Sequence, residues 1–146
     1  MESAWLLPDL DDETAAGFWA ACAEGRLVVQ TCGECGARRM PPRPMCPHCR
    51  STAVTWGETS GRGRIWSFIV AHPPLLPAFA AEAPYNAVIV ELEDDPAIRF
   101  VGNLVTSADG PIGEVDPATI VIGEPVEVVF HRIDDVSLPR WVRRTA

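Results

Sequence analysis

The chain has 146 residues, 47% apolar and 22% charged, with a net charge of −8 at pH 7. That length holds one ordinary domain, or a small metal-nucleated module beside a compact core of about 100 residues. No apolar run approaches the ~20 residues needed to span a bilayer, and the acidic balance disfavours nucleic acid as a general partner, because the phosphate backbone rewards positive surface.

Met1-Glu2-Ser3-Ala4-Trp5 lacks the basic-then-apolar order of a secretory signal. Residues 11–24 read as a helix, with Asp11, Asp12 and Glu13 at its acidic start, Phe18, Trp19 and Cys22 on one face, and Gly25 as the stop. Leu27 to Gln30 reads as a strand leading into the first of two cysteine pairs. These pairs are Cys32-Gly33-Glu34-Cys35 and Cys46-Pro47-His48-Cys49, with ten residues between them.

Each C-x2-C turn brings two sulfurs close enough to grip one ion, and zinc favours four such donors at tetrahedral corners. Gly36 after the first pair and Pro47 inside the second suit tight metal-binding turns. The expected site is one structural Zn²⁺ on Cys32, Cys35, Cys46 and Cys49. Four protein ligands leave no open position for water, so zinc catalysis is not expected. Thiols kept as metal ligands imply a reducing, cytoplasmic compartment. Cys22, in an apolar helical stretch, reads as a buried small hydrophobe, and His48 inside the second knuckle reads as solvent-facing.

Met40-Pro41-Pro42-Arg43-Pro44 can be neither helix nor central strand and delivers the second pair as an extended connector. From Trp56 onward the pattern turns to β. Ile65–Val70 is a strand entered through Ser60-Gly61-Arg62-Gly63. His72–Pro84 carries four prolines and reads as a long irregular excursion, unusually apolar at Leu75, Leu76 and Phe79. Residues 87–92 and 98–105 form an expected hairpin around Asp94-Asp95-Pro96, followed by strands at 125–132 and 138–143. The fold class is therefore mainly β, in three parts: an N-terminal helical arm (1–25), a rubredoxin-like zinc ribbon (26–55) and a C-terminal OB-fold barrel (56–146).

The order of these features resembles the DUF35 family, zinc-ribbon/OB-fold proteins associated with acyl-CoA. The resemblance runs from about Thr14 to Trp141. It rests on Phe18-Trp19, Gly25, Cys32 to Gly36, Pro41-Pro42-Arg43, Cys46 to Cys49, Ser60 to Gly63, His72-Pro73-Pro74, Pro84-Tyr85 and Ile122 to Phe130. It implies a small accessory subunit, not catalytic alone, beside a thiolase-like enzyme: a thiolase, an acyltransferase or a steroid side-chain aldolase. Two copies of each chain and contact with an acyl-CoA substrate are what the resemblance implies. Nucleic acid and membrane are not expected partners.

Charge is uneven along the chain. Residues 26–64 hold seven arginines against Glu34 and Glu58, a net +5, which leaves −13 for the rest. Arg62 and Arg64, either side of Gly63, are candidates for the CoA phosphates, since guanidinium grips phosphate oxygens bidentately. Surface pairing with the acidic remainder is the alternative. Trp66 is a candidate for stacking the adenine, against barrel packing for it as for Trp56 and Trp141. Leu75, Leu76 and Phe79 of the excursion, with Phe18 and Trp19 of the helix, are the candidate partner surface, against a loop folded back over the barrel mouth. His72 and His131 have no nearby Asp or Ser in a recognisable nucleophile arrangement, and no catalytic residue is assigned. Two other readings stay open: a nucleic-acid-binding zinc-ribbon/OB module, and a one-iron electron carrier built on rubredoxin-type knuckles.

Overall fold

The computed structural model describes residues 5–145; the reading of Met1 to Ala4 and the final Ala146 lie outside the described residues. The first helix, α1, spans Ala16–Ala23, shorter than the 11–24 expected. The acidic run before it forms side-chain-closed turns instead. Asp9 Oδ1 accepts from the Asp11 amide at 2.9 Å and Asp12 Oδ1 from the Thr14 amide at 3.0 Å, which offers the backbone an alternative to the helical ladder. The far end matches expectation. Gly25 adopts φ +76, its amide donates to Cys22 O at 2.9 Å, and Arg26 N donates to Ala21 O at 2.9 Å. This pair of bonds closes a helix on a left-handed residue, a conformation that glycine adopts without steric cost.

Three strands form the ribbon sheet: β1 (Val28–Cys32) at its centre, β2 (Arg38–Arg39) and β3 (Val54–Glu58) antiparallel on either side. Sequence reading missed β3, which has little apolar alternation because its side chains are mostly exposed. It runs through residue 55, so Trp56, Gly57 and Glu58 pair with β1 as part of the ribbon sheet.

Five antiparallel strands make the second unit: β4 (Arg62–Ala71), β5 (Tyr85–Leu92), β6 (Arg99–Gly102), β7 (Pro125–Ile133) and β8 (Val136–Arg143), in the order β6-β5-β4-β7-β8. A parallel bridge between Leu104 and Trp141 brings the β6 end round to β8, so the sheet is a nearly closed barrel. In β5 the burial alternates strictly, placing Asn86, Val88, Val90 and Leu92 inside.

Two expectations change here. The strand anticipated at 98–105 stops at Gly102. Buried Asn86 captures the chain just beyond: its Nδ2 donates to Leu104 O at 2.9 Å and its Oδ1 accepts from Leu104 N at 2.6 Å, so a side-chain amide replaces the β5 backbone as partner. The excursion is not wholly irregular either, since Pro77–Ala80 forms a short second helix, α2. The Asp94-Asp95-Pro96 turn closes through Ile98 N to Asp95 O at 2.9 Å. Asp94 Oδ2 also accepts from the Ser60 amide at 2.6 Å, and that bond lowers the Asp94 pKa.

One apolar cluster runs through helix, ribbon and barrel. Phe18, Ala21 and Cys22 meet Leu27, Val28 and Val29 of the ribbon and Ile65, Val90, Phe100 and Trp141 of the barrel. Trp56 packs beside it and approaches α1 so closely that a Cβ on Gly17 would lie 2.1 Å from its Nε1. Gly17→Ala is therefore expected to destabilise the fold by about 1–3 kcal/mol, because overpacking against a ring outweighs the ~1 kcal/mol of helix propensity gained. Thermal unfolding checks this; a rise in Tm would contradict the packing.

Candidate functional site: four cysteines and the groove beside them

The two knuckles repeat the same geometry. Gly36 N donates to Cys32 O at 3.1 Å, and Arg50 N donates to Cys46 O at 2.9 Å. Both turn-closing residues have positive φ, +76 at Gly36 and 64 at Arg50. The four Sγ atoms lie within 4.8 Å of one another. Cys32 and Cys49 sulfurs are 3.5 Å apart, and those of Cys35 and Cys46 are 3.7 Å apart. All four cysteines are free. These separations are too long for a disulfide and match the ~3.8 Å edge of a sulfur tetrahedron with ~2.3 Å Zn–S bonds.

The electrostatics fit a divalent cation. Amides of Cys35 and Glu34 point at Cys32 Sγ and lower its pKa to about 6. Cys46 is lowered by the amides of Cys49 and His48. Cys49 is pushed up to about 12: the Ser51 amide favours its thiolate, but the crowded sulfurs of Cys32, Cys35 and Cys46, with burial, outweigh it. Four sulfurs this close cannot all ionise without a positive charge among them, which Zn²⁺ supplies. Cys22 stands apart, 1% exposed with its thiol raised to about 12 by burial, a packing residue rather than a ligand.

Buried Gln30 fixes the proline connector to the ribbon. Its Nε2 donates to Arg43 O at 2.9 Å and its Oε1 accepts from Arg43 N at 2.7 Å, while Arg39 Nη2 also donates to Arg43 O at 3.2 Å. The connector thus lies over β1 without forming a strand. Beside it opens a groove of about 370 Å³, lined by Trp5, Trp19, Pro41, Pro42, Phe100 and Gly102 among others, with Arg140 also on its wall.

The candidate residues fall in three places. Arg62, Arg64 and Trp66 share the outward face of β4, each already engaged. Arg62 Nε lies 3.8 Å from Glu93, Arg64 Nη1 donates to Gly123 O at 3.0 Å, and the Arg99 guanidinium covers the Trp66 ring at 3.8 Å. Phe18 is buried, stacked 6.1 Å from Phe100 and edge-on to Trp19 at 5.0 Å, so its ring floors the groove rather than facing solvent; Trp19 is half-buried. On the excursion, Leu76 is 59% exposed, Leu75 is half-buried, and Phe79 leans on Trp5 and Tyr85 at 5.2 and 6.4 Å.

Trp5 was missed by sequence reading. It touches Phe79 and lines the same groove as Phe18 and Trp19, which links the two expected surfaces. Arg140 was missed as well; its one sequence signal is a charge between Pro139 and Trp141 in an apolar tail. His131 has a partner invisible in sequence, Asp109, whose Oδ1 is 2.8 Å from its Nδ1. That contact ties β7 to the long segment after β6.

About one zinc per chain is expected by elemental analysis, and a strong chelator should unfold the ribbon, since structural zinc sites contribute folding free energy outright. Cys46→Ser, at the fully buried ligand, should lose the metal. Iron with a red colour bleached by dithionite, or folding indifferent to the chelator, would overturn a structural zinc.

The profile of the ChsH2 rubredoxin-like zinc ribbon domain matches residues 19–55, and that of the ChsH2 C-terminal OB-fold domain matches residues 56–131. A probable enoyl-CoA hydratase alpha subunit from Thermomonospora curvata is 41% identical over 84% of this chain, which spans only 35% of that relative's length. A DUF35 domain-containing scaffold protein from Methanocaldococcus jannaschii is 33% identical over 86% of this chain and 83% of its own. Among solved structures, a chain of the Ltp2-ChsH2(DUF35) aldolase superposes with a TM-score of 0.77 at 35% identity, covering 93% of this chain and 98% of that one. With both of its parts matched in order over most of its length, this chain belongs to the ChsH2 family of zinc-ribbon/OB-fold DUF35 proteins.

Proposed function

We propose that this chain is a non-catalytic accessory subunit of a thiolase-superfamily enzyme, working in the cytoplasm and helping to hold an acyl-CoA substrate while the partner supplies the reacting groups. The observation that carries this reading is its likeness, along nearly the whole length of both chains, to a component of an aldolase named for two proteins. The similar hydratase chain is likewise named as a subunit. The site's chemistry is consistent. Four cysteine ligands saturate zinc, so the metal offers no open position for a substrate or an activated water.

Partner docking is supported by the apolar surface of α2 and the excursion, where Leu76 is exposed beside half-buried Leu75 and Phe79. In this reading the excursion docks on the enzyme, and the exposed arginines of β4 and the ribbon attract the CoA phosphates. Assembly with two copies of each chain is part of the proposal.

Tagged protein purified from its native host should bring down a thiolase-like subunit in equal amount, with a mass by light scattering matching two copies of each. Leu76→Glu should weaken that complex about tenfold or more, since a leucine buried in an interface contributes about 1.5–3 kcal/mol, and should leave Tm unchanged. A chain that recovers no thiolase-like subunit contradicts the proposal. Unchanged affinity in Leu76→Glu moves the contact to another face.

A further inference from the structure

The groove between α1, the proline connector and the barrel is largely apolar, with two buried N–H donors at or behind its lining. The first is the Trp141 indole. It is fully buried, and its Nε1 has no hydrogen-bond partner among the described residues. Its N–H edge lies against Gly102, a residue of the groove lining: a Cβ there would sit 3.1 Å from Cδ1 and 3.2 Å from Nε1. With glycine at 102, no side chain stands against that edge. A buried donor without an acceptor costs about 1–3 kcal/mol, so an orphan N–H against a cleft lining points to an acceptor arriving from outside.

The second donor is Arg140, 4% exposed on the wall of the same groove. Its Nη1 donates to Ala108 O and Gly110 O at 3.1 and 2.9 Å. No carboxylate among the described residues lies within 4.0 Å of it, and burial lowers its pKa. The carboxylates of Asp109 and Glu82 act on it from beyond ion-pair distance, and an oxygen-bearing ligand in the groove would give it a closer partner. The remaining walls, Trp5, Trp19, Pro42 and Phe100, are flat and rigid, suited to a compact apolar body.

We propose that this groove is a binding subsite for an apolar ring or branched chain carrying a carboxylate or carbonyl oxygen, with that oxygen turned to Trp141 Nε1 and Arg140. Its identification with the acyl body of the substrate, as distinct from the CoA part, rests on the acyl-CoA reading above. Arg62, Arg64 and Trp66 do not line this groove, so the two ends of one thioester would be recognised by different surfaces.

The probes are 2-naphthoate and 2-acetonaphthone, one anionic and one neutral, added to the intact zinc-loaded chain and followed by the ¹H–¹⁵N resonances of its five tryptophan indoles. Both probes should move the Trp141 indole proton downfield and perturb Trp19. Gly102→Ala places a methyl over the indole edge and should weaken both probes about tenfold or more. Arg140→Gln should weaken naphthoate about tenfold more than the ketone, which loss of packing alone would not do. Should one variant fail to fold, the other carries the test. A Trp141 indole unmoved by either probe overturns the site, as does a response confined to the Trp66 indole. An indole that shifts only when a thiolase-like subunit is added assigns the groove to protein contact and also overturns it. A chain that captures the subunit but ignores both probes loses this inference alone. A chain that binds them but captures no subunit keeps the site and loses the accessory-subunit reading.

Discussion

Four sulfurs held within 4.8 Å of one another are stable as a group only with a cation among them, and the amino-terminal half of the chain depends on that constraint. The ribbon sheet has three strands, one of them two residues long, too little surface to bury for independent stability. The metal replaces the missing core at one end of the ribbon, while Leu27, Val28 and Val29 of the other end enter the cluster shared with the barrel. A staple at one end and a common core at the other fix the ribbon's direction relative to the barrel. The helix is gripped between them, with Gly17 against Trp56 and Phe18 against Phe100.

The groove follows from the same arrangement. Three prolines in four residues cannot join a sheet interior, so the connector is held by the Gln30 amide over β1 and leaves open space between itself and the barrel wall. On the barrel side, Asn86 diverts the chain after Gly102 and leads it alongside β8, whose Arg140 lines the cleft with Trp141 buried behind Gly102. Two buried amides, each standing in for a strand backbone, thus shape opposite walls. Both hold backbone that no strand pairs with.

How much of this was readable in sequence divides by range. The knuckles, the glycine stop of α1 and the strand at 87–92 are local patterns with local causes, and they survive in the structure. Features that depend on distant partners were not readable. Gln30 looks like an ordinary strand residue until Arg43 is seen thirteen positions away, and the end of β6 is decided by Asn86 rather than by anything at residue 102. β3 was missed because its exposed side chains carry no alternation, and its pairing with β1 follows from the knuckles drawing the chain back. Phe18 was assigned to a surface because one helical face looks like another; burial chose it and left Trp19 at the rim.

The arginines separate into classes that composition merges. Arg26, Arg62, Arg143 and Arg144 form ion pairs with Glu24, Glu58, Glu93 and Glu124 at partly exposed positions, where such pairs contribute at most about 1 kcal/mol. Arg38, Arg39, Arg43 and Arg50 have no ion pair among the described residues, so the positive charge of the 26–64 segment is concentrated on the ribbon. A field of that kind orients an anionic ligand or partner before contact, with a range of about 8 Å at physiological salt. Arg140 works differently. Buried at the groove wall, it holds the Ala108 and Gly110 carbonyls and is less exposed to salt than the surface arginines. The proposed steering by the ribbon and the proposed recognition at Arg140 are thus physically separable: raising the ionic strength would weaken the first and spare most of the second.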